Sequence, residues 1–209
     1  MSAASRTPLR PTAWTRSRRA ALTTAGAALA ALLVSACSSG GVSGGGGDTN
    51  FVMGKDGIST VEKGKRDQAP DLSGKTIDDK QLAVSSFKGK VVVLNVWGSW
   101  CAPCRAEAAN LEKVYTDLKP RGVQFVGINV ADPQVKSALA FEKQYGVTYP
   151  SLYDPSSKLM LRFEKGTLNP QAIPSTLVLD RDGKIAARSL AALSEEKLRK
   201  MIAPVLAEK

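Results

Sequence analysis

Residues 91–115 read VVVLNVWGSWCAPCRAEAANLEKVY, two structural periods joined by a pair of cysteines. Val91 to Val96 is a run without a single charge, which suits a central strand covered on both faces. From Cys101 to Leu118, Ala108, Leu111, Val114, Tyr115 and Leu118 recur at helical spacing on one side. Val123 to Val130 is a second buried strand, so the three pieces form a βαβ unit with a parallel pair. Cys101 and Cys104 fall at the junction of strand and helix. The unpaired N–H groups of a helix start stabilise an anion, so Cys101 is expected to have a lowered thiol pKa and to be the exposed nucleophile. Cys104, one turn further in, is expected to be shielded.

Outward from this unit, Gln134 to Tyr145 and Ser157 to Phe163 read as helical pieces, and Ser175 to Leu179 as a strand. Asp180-Arg181-Asp182-Gly183 is a hairpin turn signal, returning through Lys184 to Arg188. Ser194 to Ala207 is a last helix, with Ser194 as N-cap and Glu195 and Glu196 in its first turn. Upstream, Asp71 to Ile77 reads as a short strand and turn. The predicted domain covers 69–209, an α/β order of βαβ, helices, ββα. Lys113, Lys119, Arg121 and the Lys197 to Lys200 cluster read as solvated helix faces.

Composition narrows the chemistry. The 209 residues include no histidine, which excludes a Ser-His-Asp triad, a Cys-His nucleophile pair and His-ligated zinc or haem. Three cysteines cannot all pair within the chain, so one needs another fate. Residues 1–36 carry Arg6, Arg10, Arg16, Arg18 and Arg19 without an acid, then a weakly apolar run from Ala20 to Val34. A membrane span needs about 20 apolar residues, so this reads as an export signal, by either the general or the twin-arginine route. Val34-Ser35-Ala36-Cys37 resembles a bacterial lipobox, in which Cys37 is diacylated and becomes the N-terminus; ordinary cleavage near Ala36 is the alternative. Two acyl chains, each contributing about 0.8 kcal/mol per buried CH₂, hold a domain at a membrane surface. Residues 37–68 then read as a lipidated, Gly/Ser-rich flexible tether with a reach of roughly 30 Å. Removing the leader takes five basic residues from 29, leaving 24 against 19 acids. That balance of +5 favours an anionic surface or an acidic partner and gives no support for nucleic acid.

The cysteine spacing invites other readings. A structural bridge across two residues at a helix start is an unusual staple, a metal site lacks two further ligands, and a peroxidase centre lacks a threonine three residues before Cys101, where Gly98 stands. Thiol-disulfide exchange fits best: the Cys101 thiolate attacks a partner disulfide, and Cys104 resolves the mixed disulfide and closes the 101–104 bridge. No cofactor is expected beyond that redox-active disulfide, and no metal.

The stretch quoted above, with IPSTLVLDRDG at 173–183, resembles the membrane-tethered thioredoxin-like proteins of the TlpA/ResA group, near the CcmG/DsbE type, over 69–209. The resemblance implies a thioredoxin fold: a central mixed sheet flanked by helices, with an extra N-terminal hairpin and an insertion before the final β-hairpin. It assigns Pro174 as a cis-proline facing the dithiol and leaves the backbone of Ile173 free to pair with an incoming peptide strand. Asn95 stands where classical thioredoxins carry a buried aspartate. Glu107, three residues after Cys104 on the same helix face, matches a glutamate that affects cysteine ionisation in ResA-like proteins; a partly buried carboxylate there could take the Cys104 proton through water and would have a raised pKa. The alternative is a first-turn glutamate serving the helix dipole, paired with Arg105. Trp97 and Trp100 read as walls of the site, with Trp100 on the substrate side.

The expected function is an exported, lipid-anchored thiol-disulfide oxidoreductase on the outer face of the cell membrane, acting on protein disulfides. The resemblance favours reduction of the apocytochrome c Cys-x-x-Cys-His site, with a membrane thiol reductase as electron donor. Two rivals stand beside it: an oxidant that introduces disulfides into secreted proteins through the same cysteines, and a non-catalytic peptide-binding lipoprotein.

Overall fold

A computed structural model describes residues 49–208. The signal segment, Cys37 and the glycine run to Asp48 lie outside the described residues. In chain order the strands are β1 (Val52–Met53), β2 (Ile58–Thr60), β3 (Ser73–Lys75), β4 (Gln81–Ala83), β5 (Val91–Trp97), β6 (Val123–Val130), β7 (Ser151–Asp154), β8 (Ser175–Leu179) and β9 (Ile185–Ser189). The helices are α1 (Ala102–Leu118), α2 (Val135–Tyr145) and α3 (Glu195–Ala207). Seven strands form one mixed sheet in the order β1-β2-β9-β8-β5-β6-β7, and β3 and β4 form the separate hairpin. β5 runs parallel to β6 and antiparallel to β8. Among the described residues, no helix is long and apolar enough to cross a membrane.

The absence of polar alternation in β5 follows from its position, with both faces covered. Val91 and Val93 pack with Leu111, Val114, Phe125, Leu198 and Ile202 on the side of α1 and α3. Val92, Leu94 and Val96 pack with Leu72, Ile128, Leu152 and Leu177 on the other. Strand parity therefore puts Asn95 on the helix side, facing α1. The insertion expected before the final hairpin lies between β6 and β8 and comprises α2, β7 and the loop that follows. β7 takes the outer place beside β6 and is bridged by Thr76 of the hairpin turn to Leu152.

Three sequence expectations need correction. The predicted tether over 37–68 enters the domain well before Ala69: β2 pairs with β9, and Phe51, Ile58 and Val61 are buried. The Arg66 side chain donates to Asp180 at 3.0 Å and to both carboxylate oxygens of Glu208 at 2.8 and 2.6 Å. Those partners are far along the chain, so the local polar composition concealed them. Second, the helix read at 157–163 is a single 3₁₀ turn, Met160–Arg162. The Asp154 carboxylate accepts the amides of Lys158 and Leu159 and holds a turn in a segment too short to sustain an α-helix. Third, β7 was not anticipated; four residues after a proline give little periodicity.

Ser194 does cap α3, its hydroxyl accepting the Lys197 amide at 3.3 Å. Ser194→Ala is expected to lower the unfolding free energy by about 1 kcal/mol, read as a shifted urea midpoint with unchanged slope.

Candidate redox centre

β5 ends at Trp97, the chain turns through Gly98-Ser99-Trp100, and α1 begins with Cys101 as its N-cap. Cys101 and Cys104 are joined in a disulfide, their Cα atoms 5.3 Å apart. The Cys104 amide donates to Cys101 Sγ at 3.2 Å, so an unpaired N–H of the helix start is aimed at that sulfur. Pro103 stands in the first turn, where its missing N–H costs nothing. The Ile173–Pro174 peptide bond is cis, and the Ile173 carbonyl oxygen approaches Cys101 Sγ to 3.8 Å. The Ser175 hydroxyl donates to the Ala172 carbonyl at 2.7 Å across the same turn.

The structure brings Cys101, Cys104, Ile173 and Pro174 together, and it changes the expected exposure of the first sulfur. Cys101 is 3% exposed and Cys104 1%, so in the bridged form the first sulfur is nearly as covered as the second. Both cysteines belong to an apolar cluster with Trp97, Ala108, Ile77, Ala138 and Phe141, with Ile173 packed against it, and the last four of these lie too far along the chain for a local reading of the motif. The tryptophans also divide. Trp97 is buried and stacked on Phe141 at 4.3 Å, whereas Trp100 is 56% exposed. Gly127 makes room for the first: a Cβ there would lie 2.7 Å from Trp97 Nε1.

Glu107, expected to be partly buried, is 1% exposed. Its carboxylate accepts from Asn95 Nδ2 at 2.9 Å and from the Leu193 amide at 2.8 Å. Asn95 Nδ2 also reaches Thr176 Oγ1 at 3.2 Å. Burial pushes the Glu107 carboxyl up to about 7, against the opposing effect of the two hydrogen bonds. Arg105 instead donates to the Ser99 carbonyl at 3.3 Å. Thr176 and Leu193 were missed in the sequence because they lie 81 and 86 residues from their partners. The Ser-Thr pair after Pro174 was the one available signal. Among the described residues, no group of three or more His, Cys, Asp or Glu side chains could hold a metal ion.

A bridge spanning two residues closes a loop too short to staple distant parts of a fold, so its use lies in opening and closing. On this sheet, at this helix start, it defines a thiol-disulfide oxidoreductase of thioredoxin-like fold. The chain belongs to the AhpC/TSA family, whose profile matches residues 66–188. It is 30% identical over 129 residues to the thiol-disulfide oxidoreductase ResA of Bacillus subtilis, covering 62% of this chain and 68% of that protein. A solved DsbF homologue from Corynebacterium diphtheriae is 34% identical with a TM-score of 0.66, covering 72% of this chain and 94% of that one. A secreted thiol-disulfide isomerase from Corynebacterium glutamicum is 31% identical with a TM-score of 0.69, covering 78% and 100%. This chain is thus an enzyme of the ResA/DsbE type. Gly98 offers no hydroxyl to Cys101, and a side chain there would collide with Trp100, since a Cβ would lie 2.8 Å from its Nε1.

Proposed function

We propose that the protein is an extracytoplasmic, lipid-anchored reductant of protein disulfides whose substrates include the Cys-x-x-Cys pair of apocytochrome c. The observation that carries this reading is the Cys101–Cys104 bridge at the start of α1, with a backbone N–H on Cys101 Sγ and the Ile173 carbonyl beside it. In the reduced enzyme, the amide on Sγ favours the thiolate of Cys101. That thiolate attacks one sulfur of the partner disulfide; the partner S–S bond breaks and its other sulfur leaves as a thiolate. Cys104, deprotonated with Glu107 as the nearby carboxylate on the same helix face, attacks the Cys101 sulfur of the mixed disulfide. The 101–104 bridge forms, the second partner sulfur departs, and two electrons and two protons end on the partner. Ile173 offers backbone to the bound peptide strand, Pro174 keeps the turn free of a competing N–H, and Trp100 supplies an exposed apolar wall. No further cofactor takes part.

Export and anchoring rest on the charged leader and the lipobox-like Val34-Ser35-Ala36-Cys37, and the secreted isomerase of similar structure supports the compartment. A membrane thiol reductase would return electrons to the bridge. The amide on Cys101 Sγ also favours a second reading: stabilising the thiolate makes the bridge more oxidising and suits an enzyme that introduces disulfides. Trapping with Cys104→Ala tests the substrate. Mixed disulfides on Cys101 should contain apocytochromes, and their absence among trapped partners would remove the cytochrome assignment. A potential well above about −200 mV would instead establish the oxidant.

A further inference from the structure

We infer that Asp132, in the segment after β6, is a positioning residue that fixes the Gly98-Ser99-Trp100 turn and thereby aims Trp100 at the disulfide-bearing partner. The inference rests on the exchange reading above and concerns how a protein substrate is held. Asp132 is 2% exposed, and its carboxylate is saturated by the turn and by β6. Oδ2 accepts the Ser99 amide at 2.8 Å and Asn129 Nδ2 at 2.7 Å, and Oδ1 accepts the Ser99 hydroxyl at 2.6 Å. The Tyr153 hydroxyl donates to the Asp132 carbonyl at 2.9 Å. The preceding residue, Ala131, takes a left-handed φ of 55°, which a Cβ disfavours, so the chain adopts an unfavourable backbone where it delivers this carboxylate to Ser99.

What the carboxylate holds matters because of the neighbours of Ser99. On one side is Gly98, with the Trp100 indole folded over it close enough that a Cβ would lie 2.8 Å from Nε1 and 3.0 Å from Cε2. On the other is Trp100 itself, the exposed aromatic beside Cys101. Cys101 shares the turn through its own amide, which donates to the Gly98 carbonyl at 3.1 Å, but its sulfur is held by the bridge to Cys104 and by the Cys104 amide of α1 at 3.2 Å. Losing Asp132 therefore frees the tryptophan far more than the sulfur. The required feature is an acceptor for two donors at Oδ2, because the Ser99 hydroxyl at Oδ1 can rotate and accept. Asparagine can place its oxygen at Oδ2 and its amide against that hydroxyl. It should therefore substitute, although it has no charge; alanine should not.

The test uses the full chain in dithiothreitol-driven insulin reduction. Asp132→Ala should raise the half-saturating insulin concentration about fivefold, the loss of roughly one well-placed aromatic contact, with kcat within about twofold. Asp132→Asn should restore it, and Asp132→Ala should add nothing in a Trp100→Ala background. Gly98→Ala, whose Cβ would meet the indole at 2.8 Å and the Val130 carbonyl oxygen only at 3.2 Å, displaces chiefly the indole and keeps the Asp132 carboxylate, so it should raise the same concentration and serves if the alanine variant at 132 does not fold. Asparagine behaving as alanine, a fall in kcat alone, additive effects with Trp100→Ala, or an unchanged Gly98→Ala each overturns the inference. A wild-type chain that does not reduce insulin overturns the exchange reading instead.

Discussion

Cys101→Ser should lower turnover in insulin reduction by at least about a thousandfold, leaving the fold and its unfolding midpoint close to those of the reduced wild-type protein. The serine hydroxyl occupies nearly the same space but supplies no thiolate at neutral pH, so the amide aimed at Sγ has no anion to stabilise. The partner variant fails differently. Cys104→Ala retains the attacking sulfur and completes one half-reaction, so the variant, reduced and then freed of dithiothreitol, should release one partner thiol per enzyme and stop as a mixed disulfide. The two variants together separate attack from resolution, and mass spectrometry of the stalled species places the bond on Cys101. Turnover surviving Cys101→Ser, or a Cys104→Ala protein that cycles freely, would reverse the assigned roles. A protein whose bridge dithiothreitol does not open, and which Cys101→Ser leaves unaltered in peptide binding, would be a binding lipoprotein.

The extent to which this arrangement was legible in sequence depended on the range of the forces involved. β5, α1 and β6 were readable because buried strands and an amphipathic helix write their periods locally, and Ser194 because a cap acts across three residues. The proline opposite the cysteines was readable only through family resemblance; its cis bond is now part of the observed geometry. What sequence concealed was pairing at long separation. Arg66 looked like one more charge in a polar stretch, yet its side chain is buried between Asp180 and Glu208. Asp132 lay in a segment without any functional signal, because its partner Ser99 is 33 residues away. Cys101 looked exposed because much of the apolar cluster that holds it lies far along the chain, on α2, at the β3–β4 hairpin turn and in the Ile173 loop.

Glu107→Gln should remove a pH dependence of stability that the wild-type protein carries, and the sign of the change is specific. An unfolded glutamate gives up its proton near 4.5, whereas burial holds the folded carboxyl to about 7. Below pH 4.5 both states keep the proton. Between 4.5 and 7 only the folded state keeps it, so stability is lost as pH rises, and above 7 the folded chain bears the full cost of a buried charge, about 3 kcal/mol. Glutamine has no such loss. Its oxygen can accept the Leu193 amide, and its NH₂ can face Asn95 if that side chain turns its oxygen inward, with the Thr176 hydroxyl then donating to Asn95. Urea unfolding of the oxidised proteins should therefore show the variant more stable than wild type by about 1–3 kcal/mol at pH 8 and level with it near pH 4. Glu142, also raised to about 7 by burial and hydrogen-bonded to Ser151, will keep some slope in both proteins, and Glu142→Gln made in both isolates the contribution of residue 107. Equal loss of stability in wild type and Glu107→Gln between pH 4.5 and 8 would show that residue 107 carries no buried charge. A gain at pH 8 would make Glu107 a carboxylate kept at the expense of stability, as groups retained for chemistry are. The reduced variant should then show an altered thiol titration and slower exchange; if both match wild type, Glu107 has no part in the redox step.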